Sequence, residues 1–178
     1  MANTVTYAPD LYSSPPKNAM PGARLEYREM AIGTTEMLTT IIFALGILPV
    51  GHRLTHFRVE CTDMDSGSSA TLDVGLLNSY YNEKLASASH AGWDAGASPA
   101  LVNAFDNSAI TGTTINLLLS ASTLPQAGGW VEPAATNPYS HMIGVDPTHD
   151  RIIAAQFKAA PGTAVDGTLA FIVGMDWD

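Results

Sequence analysis

The sequence predicts an all-β fold, an eight-stranded jelly-roll-like β-sandwich, and three observations predict it. Apolar stretches of five to ten residues recur along the whole chain, separated by Gly, Pro, Asp, Ser and Asn. Several alternate heavy and light residues with the period of a pleated strand. No convincing long helix interrupts them, and many short strands divided by turn signals point to a sandwich or barrel. The clearest stretch is 168–175, where Leu169, Phe171, Val173 and Met175 share one face.

Residues 1–22 hold Pro9, Pro15, Pro16 and Pro21. Proline removes amide donors and fixes φ, so this segment is expected to be an extended N-terminal arm, with 23–178 forming a single sandwich domain. The arm is either a loose terminus or a strap along a neighbouring subunit, anchored by Tyr7, Leu11 and Tyr12. The first strand is expected at 24–32, with Leu25 and Tyr27 on one side, and the second at 36–45. In the second, Met37, Ile41, Phe43 and Leu45 share a face, while Ile42 and Ala44 make the other face apolar too. A strand apolar on both faces is covered on both, here by a loop or by another subunit.

Leu48-Pro49-Val50-Gly51 turns the chain into a third strand, 54–61, with Phe57, Val59 and Cys61 inward and His56, Arg58 and Glu60 outward. Asp63-Met64-Asp65-Ser66-Gly67-Ser68 has turn chemistry, because Asp and Ser bond locally and Gly accepts positive φ. The strand 70–77, with Leu72, Val74 and Leu76 inward, is expected to return beside the third as a hairpin. The pattern then loosens into a loop-rich insertion at about 78–112. Within it, 98–105 has a helix start: Ser98 as cap and Pro99 at the first helical position. Strands are expected at 113–120, 140–145, 151–158 and 168–175, with the Gly- and Pro-rich stretch 124–138 a loop.

A chain of 178 residues buries roughly 70% of its unfolded surface, enough for a core without disulfides or metal. The single cysteine, Cys61, permits no intrachain disulfide and alternates with Phe57 and Val59 as a core thiol. The net charge is −9, and only Lys84 and Lys158 follow residue 18 among the lysines. Phosphate neutralisation needs clustered Lys and Arg, so neither nucleic acid nor an anionic membrane is an expected partner. The N-terminus lacks the basic start and apolar core of a secretory signal. The longest apolar tract, 37–50, is shorter than the ~20 residues of a membrane helix. Synthesis in a host cytoplasm as a soluble protein is the expectation.

The search for chemistry ends without a catalytic residue, a metal ligand or a cofactor site. Counted from Asp63, a calcium loop would need Gly at its sixth position and Glu at its twelfth, where Ser68 and Val74 stand. His52 and His56 have a zinc-helix spacing, but on a strand four residues span roughly 13 Å. Ser66-Gly67-Ser68-Ser69 lacks the second glycine and the helix of a nucleophile elbow. His56 and Glu60 share a strand without the His-x-His partner of a cupin, and no phosphate loop opens a helix. Asp73, Asp94, Asp106, Glu132 and Asp146 supply carboxylates, as any acidic chain does. Trp93, Trp130 and Trp177, with Tyr80, Tyr81 and Tyr139, are interface anchors or sugar-stacking rings.

Two sets of residues carry a family resemblance. One is Leu48-Pro49-Val50-Gly51-His52-Arg53-Leu54, then an acidic turn and Thr71-Leu72-Asp73-Val74-Gly75-Leu76. The other is Arg151-Ile152-Ile153, the small-residue loop Ala159-Ala160-Pro161-Gly162, and Gly167-Thr168-Leu169 entering the last strand. These resemble the capsid decoration, or cement, proteins among the small virion structural proteins of tailed phages. The resemblance covers residues 30–78 and 150–177, about two-fifths of the chain, through turn and strand motifs. It implies a β-sandwich on the outer surface of an icosahedral head, a homotrimer bound to the major capsid protein, and a stabilising role without catalysis or cofactor. On that reading Tyr7, Leu11, Tyr12, Ile42, Ala44, Trp93 and Trp130 are the candidate subunit or capsid contacts. The alternative is a carbohydrate-binding β-sandwich of a phage fibre or receptor-binding protein.

Overall fold

Ten strands in two sheets make up almost all of the regular structure in the computed structural model, which describes residues 4–8, 24–49, 51–80, 101–102, 118–132 and 150–177. In chain order they are β1 Thr4–Tyr7, β2 Arg24–Ile32, β3 Ile41–Leu48, β4 His52–Cys61, β5 Thr71–Tyr80, β6 Leu101–Val102, β7 Leu119–Ser122, β8 Gly129–Val131, β9 Arg151–Ala159 and β10 Gly167–Trp177. Sheet A has the order β1-β3-β9-β5-β6, with β7 also pairing with β5. Sheet B has the order β2-β10-β4-β8. The expected sandwich is therefore present, with short strands β1, β6 and β8 added to the longer set.

Each sheet turns its alternating apolar residues toward the other. Leu169, Phe171, Val173 and Met175 of β10 are buried, as are Leu54, Phe57, Val59 and Cys61 of β4. Phe57 and Phe171 meet edge to face at 5.2 Å, and Phe43 and Phe157 do the same within sheet A at 6.1 Å. Aromatic pairs favour that geometry because the positive ring edge meets the negative ring face. Gly46 sits at a register shift in β3, where an added Cβ would lie 3.2 Å from Ile153 Cβ and 3.3 Å from Val173 Cγ2. A missing side chain there lets the two sheets approach.

Three local expectations are overturned. The strands β4 and β5 are not a hairpin: β4 pairs with β10 and β8, whereas β5 pairs with β9, β6 and β7. The acidic turn between them is a corner from one sheet to the other, and among the described strands only β5, β6 and β7 follow one another within a sheet. The stretch 124–138 is not all loop, because β8 pairs Trp130 with Glu60. Leu101–Val102 is a strand paired with Leu76–Leu77, so the helix expected over 98–105 does not include it. The second strand also starts later than expected. Thr34–Glu36 is a 3-10 turn, although Met37 still reaches the core. The strand expected at 140–145 and residues 113–117 of the one before it lie outside the described residues.

Asp65 builds the corner. It has no accessible surface, and its carboxylate accepts four backbone amides. Oδ1 takes those of Gly67 and Thr163 at 3.0 Å, and Oδ2 takes Ser69 at 2.9 Å and Ala70 at 2.8 Å. The Thr163 amide, followed by those of Ala70, Ser69 and Gly67, holds the acid well below the usual carboxylate range, against the opposing effect of burial. The four amides make the carboxylate the structural anchor of the corner. Nearby, the amides of Met64 and Asp65 both donate to Pro125 O, and Gln126 Nε2 donates to Ala70 O. Three segments distant in sequence are knotted at this point.

Candidate interaction surface

The outer face of sheet B follows from the register of its strands. Ala170 lies opposite Glu29 and Glu60, Ile172 opposite Tyr27 and Arg58, and Glu60 opposite Trp130. Directly opposed residues share a face, so Tyr27, Glu29, Arg58, Glu60, Trp130, Ala170 and Ile172 all point away from the core. Leu25, Tyr27 and Trp130 are 67%, 54% and 58% exposed.

Leu25 and Tyr27 share a face as expected, and that face is the outer one. The reason lies in β2 itself. Its apolar residues change parity midway, from Leu25 and Tyr27 to Met30 and Ile32, and the second pair enters the core. Glu26 and Arg28 are thereby turned inward, with Arg28 Nη2 3.7 Å from Glu26 Oε2. Two charges accept burial together because each offsets part of the other's desolvation.

On the outer face the polar side chains are paired. Arg58 Nη2 lies 2.6 Å from Glu60 Oε1, and the guanidinium carbon sits 4.3 Å from the Trp130 ring centroid. That arrangement combines an ion pair with a cation–π contact. The Tyr27 hydroxyl donates to Glu29 Oε2 at 2.5 Å. Its ionisation is pushed up to about 12, first by that hydrogen bond, then by burial and by the charges of Glu29 and Glu60. His56 Nε2 is 3.9 Å from Glu132 Oε1, and Arg53 is 3.7 Å from Asp176. A groove of about 290 Å³ crosses this face, lined by Tyr27, Glu60, Cys61, Thr62, Gly129, Trp130, Thr168 and Ala170. The Cys61 thiol is pushed up to about 12 by burial and, secondarily, by Asp63, which disfavours its thiolate.

The predicted contact residues are not brought together. Tyr7 is half-buried on β1, opposite Ala44, at the edge of sheet A. Ile42 and Ala44 have no accessible surface, so the second apolar face of β3 is covered within the chain and is not offered to a neighbour. Trp130 stands on the other sheet, exposed. Leu11, Tyr12 and Trp93 lie outside the described residues. Arg58, which packs on Trp130, and Tyr27, on the opposite edge strand, are not among the predicted contacts; the parity change in β2 is the signal that places Tyr27 outside. Among the described residues no three His, Cys, Asp or Glu side chains converge as metal ligands. No helix among them is long and apolar enough to cross a membrane.

No family model and no curated protein sequence matches the chain. Solved structures do. A chain from the capsid of Ralstonia phage GP4 superposes with a TM-score of 0.69 at 19% identity, covering 98% of this chain and 99% of its own. A chain from the capsid asymmetric unit of cyanophage Pam1 superposes with a TM-score of 0.53 at 14% identity, covering 96% and 99%.

This chain has the fold of phage capsid chains. Near-complete coverage in both directions makes each neighbour a chain of about this length, matched along its whole fold. The resemblance read from the turn and strand motifs points the same way.

Proposed function

We propose that this protein is a virion structural protein that decorates an icosahedral phage head and stabilises it by binding the lattice of the major capsid protein, without catalysis. The observation that carries the reading is the end-to-end match to chains taken from two phage capsids. The physics of the role asks for rigidity and contact area, and a sandwich whose two inner faces form one continuous apolar core supplies the first. A protein that binds only the assembled lattice stabilises that lattice by mass action. Attachment is assigned to the segment that follows β1: Tyr7 itself packs half-buried against the core from the outermost strand of sheet A, Leu11 and Tyr12 follow it in sequence, and Trp93 is a further candidate contact. A homotrimer matches the local symmetry of such a lattice and multiplies each weak contact.

The test mixes purified protein with expanded heads that lack it. Co-sedimentation, a raised head melting temperature and a trimer by analytical ultracentrifugation are the expected results. Failure to associate with heads at any maturation stage would remove the decoration role.

A further inference from the structure

We propose that the groove between Tyr27 and Trp130 is a binding site for a neutral saccharide. Attachment through the arm leaves this face of sheet B unused, and its chemistry is specific. Tyr27 and Trp130 stand on the two edge strands of the sheet, three strand spacings across and two residues along, about 16 Å apart at the backbone. Between them the lining is Glu60, Cys61, Thr62, Thr168 and Ala170, with Gly129 beside Trp130. Two aromatic rings at the ends and mostly short side chains along the floor, with the Glu60 carboxylate among them, make a trough for a ring lying against Trp130. At about 290 Å³ the trough is near the lower bound of small-ligand sites, roughly 300–1,000 Å³.

Trp130 is pre-organised. The Arg58 guanidinium packs at 4.3 Å on the ring, and the residue still exposes 58% of its surface. The Arg58 contact holds the ring, and the exposed part of the indole is the surface a sugar C–H face would stack on. The polar groups are fixed as well. Glu60 uses Oε1 on Arg58, leaving Oε2 as an acceptor. Thr62 Oγ1 accepts the Thr168 amide at 2.9 Å, leaving its O–H to donate. The Tyr27 oxygen donates to Glu29 and keeps its lone pairs. Alternating acceptors and donors in set positions are what vicinal hydroxyls require.

Charge selects the class of sugar. Glu29 and Glu60 flank the groove and the chain carries a net charge of −9, so sulfated, phosphorylated or carboxylated glycans are repelled. A protein partner is disfavoured, since docking would desolvate the Arg58–Glu60 pair and the Tyr27–Glu29 bond for a small apolar gain.

The experiment titrates the full chain, by calorimetry and tryptophan fluorescence, with maltotetraose, cellotetraose, chitotetraose and mannotetraose, and with a heparin tetrasaccharide as the anionic comparator. At least one neutral tetraose binds at millimolar concentrations or below, and the heparin fragment does not. Trp130→Ala and Tyr27→Ala each weaken that binding about tenfold, the scale of one lost aromatic contact, while Trp130→Phe keeps most of it. Both positions are exposed, so the variants fold. Association of Tyr27→Ala with heads is unchanged, which separates this site from the capsid role. Absence of binding to all four neutral sugars, binding indifferent to Trp130→Ala, or preference for heparin overturns the proposal. Loss of head association in Tyr27→Ala also overturns it, by making the groove a protein interface.

Discussion

Phe171→Ala measures how strongly the inner face of β10 holds the sandwich. Phe171 has no accessible surface, lies on a strand paired on both sides, and meets Phe57 edge to face at 5.2 Å. Truncating a core phenylalanine costs about 3–5 kcal/mol, the transfer free energy plus the cavity left behind. Pairing with β2 on one side and β4 on the other restricts collapse into that cavity, which favours the upper half of the range. With an unfolding entropy of about 2.1 cal/mol/K per residue, or about 0.37 kcal/mol/K for 178 residues, the midpoint should fall by about 8–13 °C. Urea unfolding followed by circular dichroism, with calorimetry at matched protein concentration, reads both quantities. The control is Tyr27→Ala, an outer-face substitution expected to stay within about 0.5 kcal/mol. A loss at Phe171 below about 1 kcal/mol, or an equal loss at Tyr27, would refute the assignment of faces in sheet B.

Three further outcomes follow from the same geometry. Asp65→Asn should destabilise far more than Asp63→Asn, because an amide cannot accept all four backbone donors at the corner; denaturation midpoints compare the two. Asp65 ionises below its unfolded value of 3.8, so its contribution is present above that pH and is lost as pH falls toward the folded value. The variant should therefore show a flatter loss of stability below about pH 4 than the parent. Cys61 should resist Ellman's reagent at pH 8 in the native protein and react fully once unfolded, since its ionisation is pushed up to about 12; rapid native labelling would contradict its burial. Gly128→Ala should cost roughly 1–3 kcal/mol, because φ is +68° and the new Cβ would lie 2.8 Å from Asp63 N; an unchanged melting curve would show that the turn into β8 is misplaced.

Much of this fold is legible residue by residue, and the boundary of legibility has a physical cause. The alternation in β10 places Leu169, Phe171, Val173 and Met175 inside, and all four are buried. The inward residues of β4 and β5 are equally plain from their pattern. The pairing of those two strands is not, because period-two alternation names a face and leaves the neighbour open. The turn chemistry of 63–68 is real, but whether it makes a hairpin or a corner depends on Thr163, 98 residues away, whose amide completes the Asp65 cradle. Strand β8 hides behind Gly128 and Gly129, whose positive φ values feed an edge strand of three residues. In the candidate site, Trp130 is visible as an aromatic outside any core pattern. Tyr27 is legible only through the parity change, since the choice of face in β2 is made by Met30 and Ile32 at the far end of the strand. The contact role expected for Ile42 and Ala44 fails for a related reason: an apolar second face needs cover, and sequence does not say whose.

The most direct test of the central claim, that this sandwich is a structural part of a phage head, is a cryo-electron microscopy reconstruction of the intact virion. The account predicts density for the two-sheet sandwich on the outer capsid surface, in threefold-related copies, with the segment bearing Leu11 and Tyr12 against the major capsid protein. A head without this chain, or the chain found only inside the shell or in the tail, would contradict it.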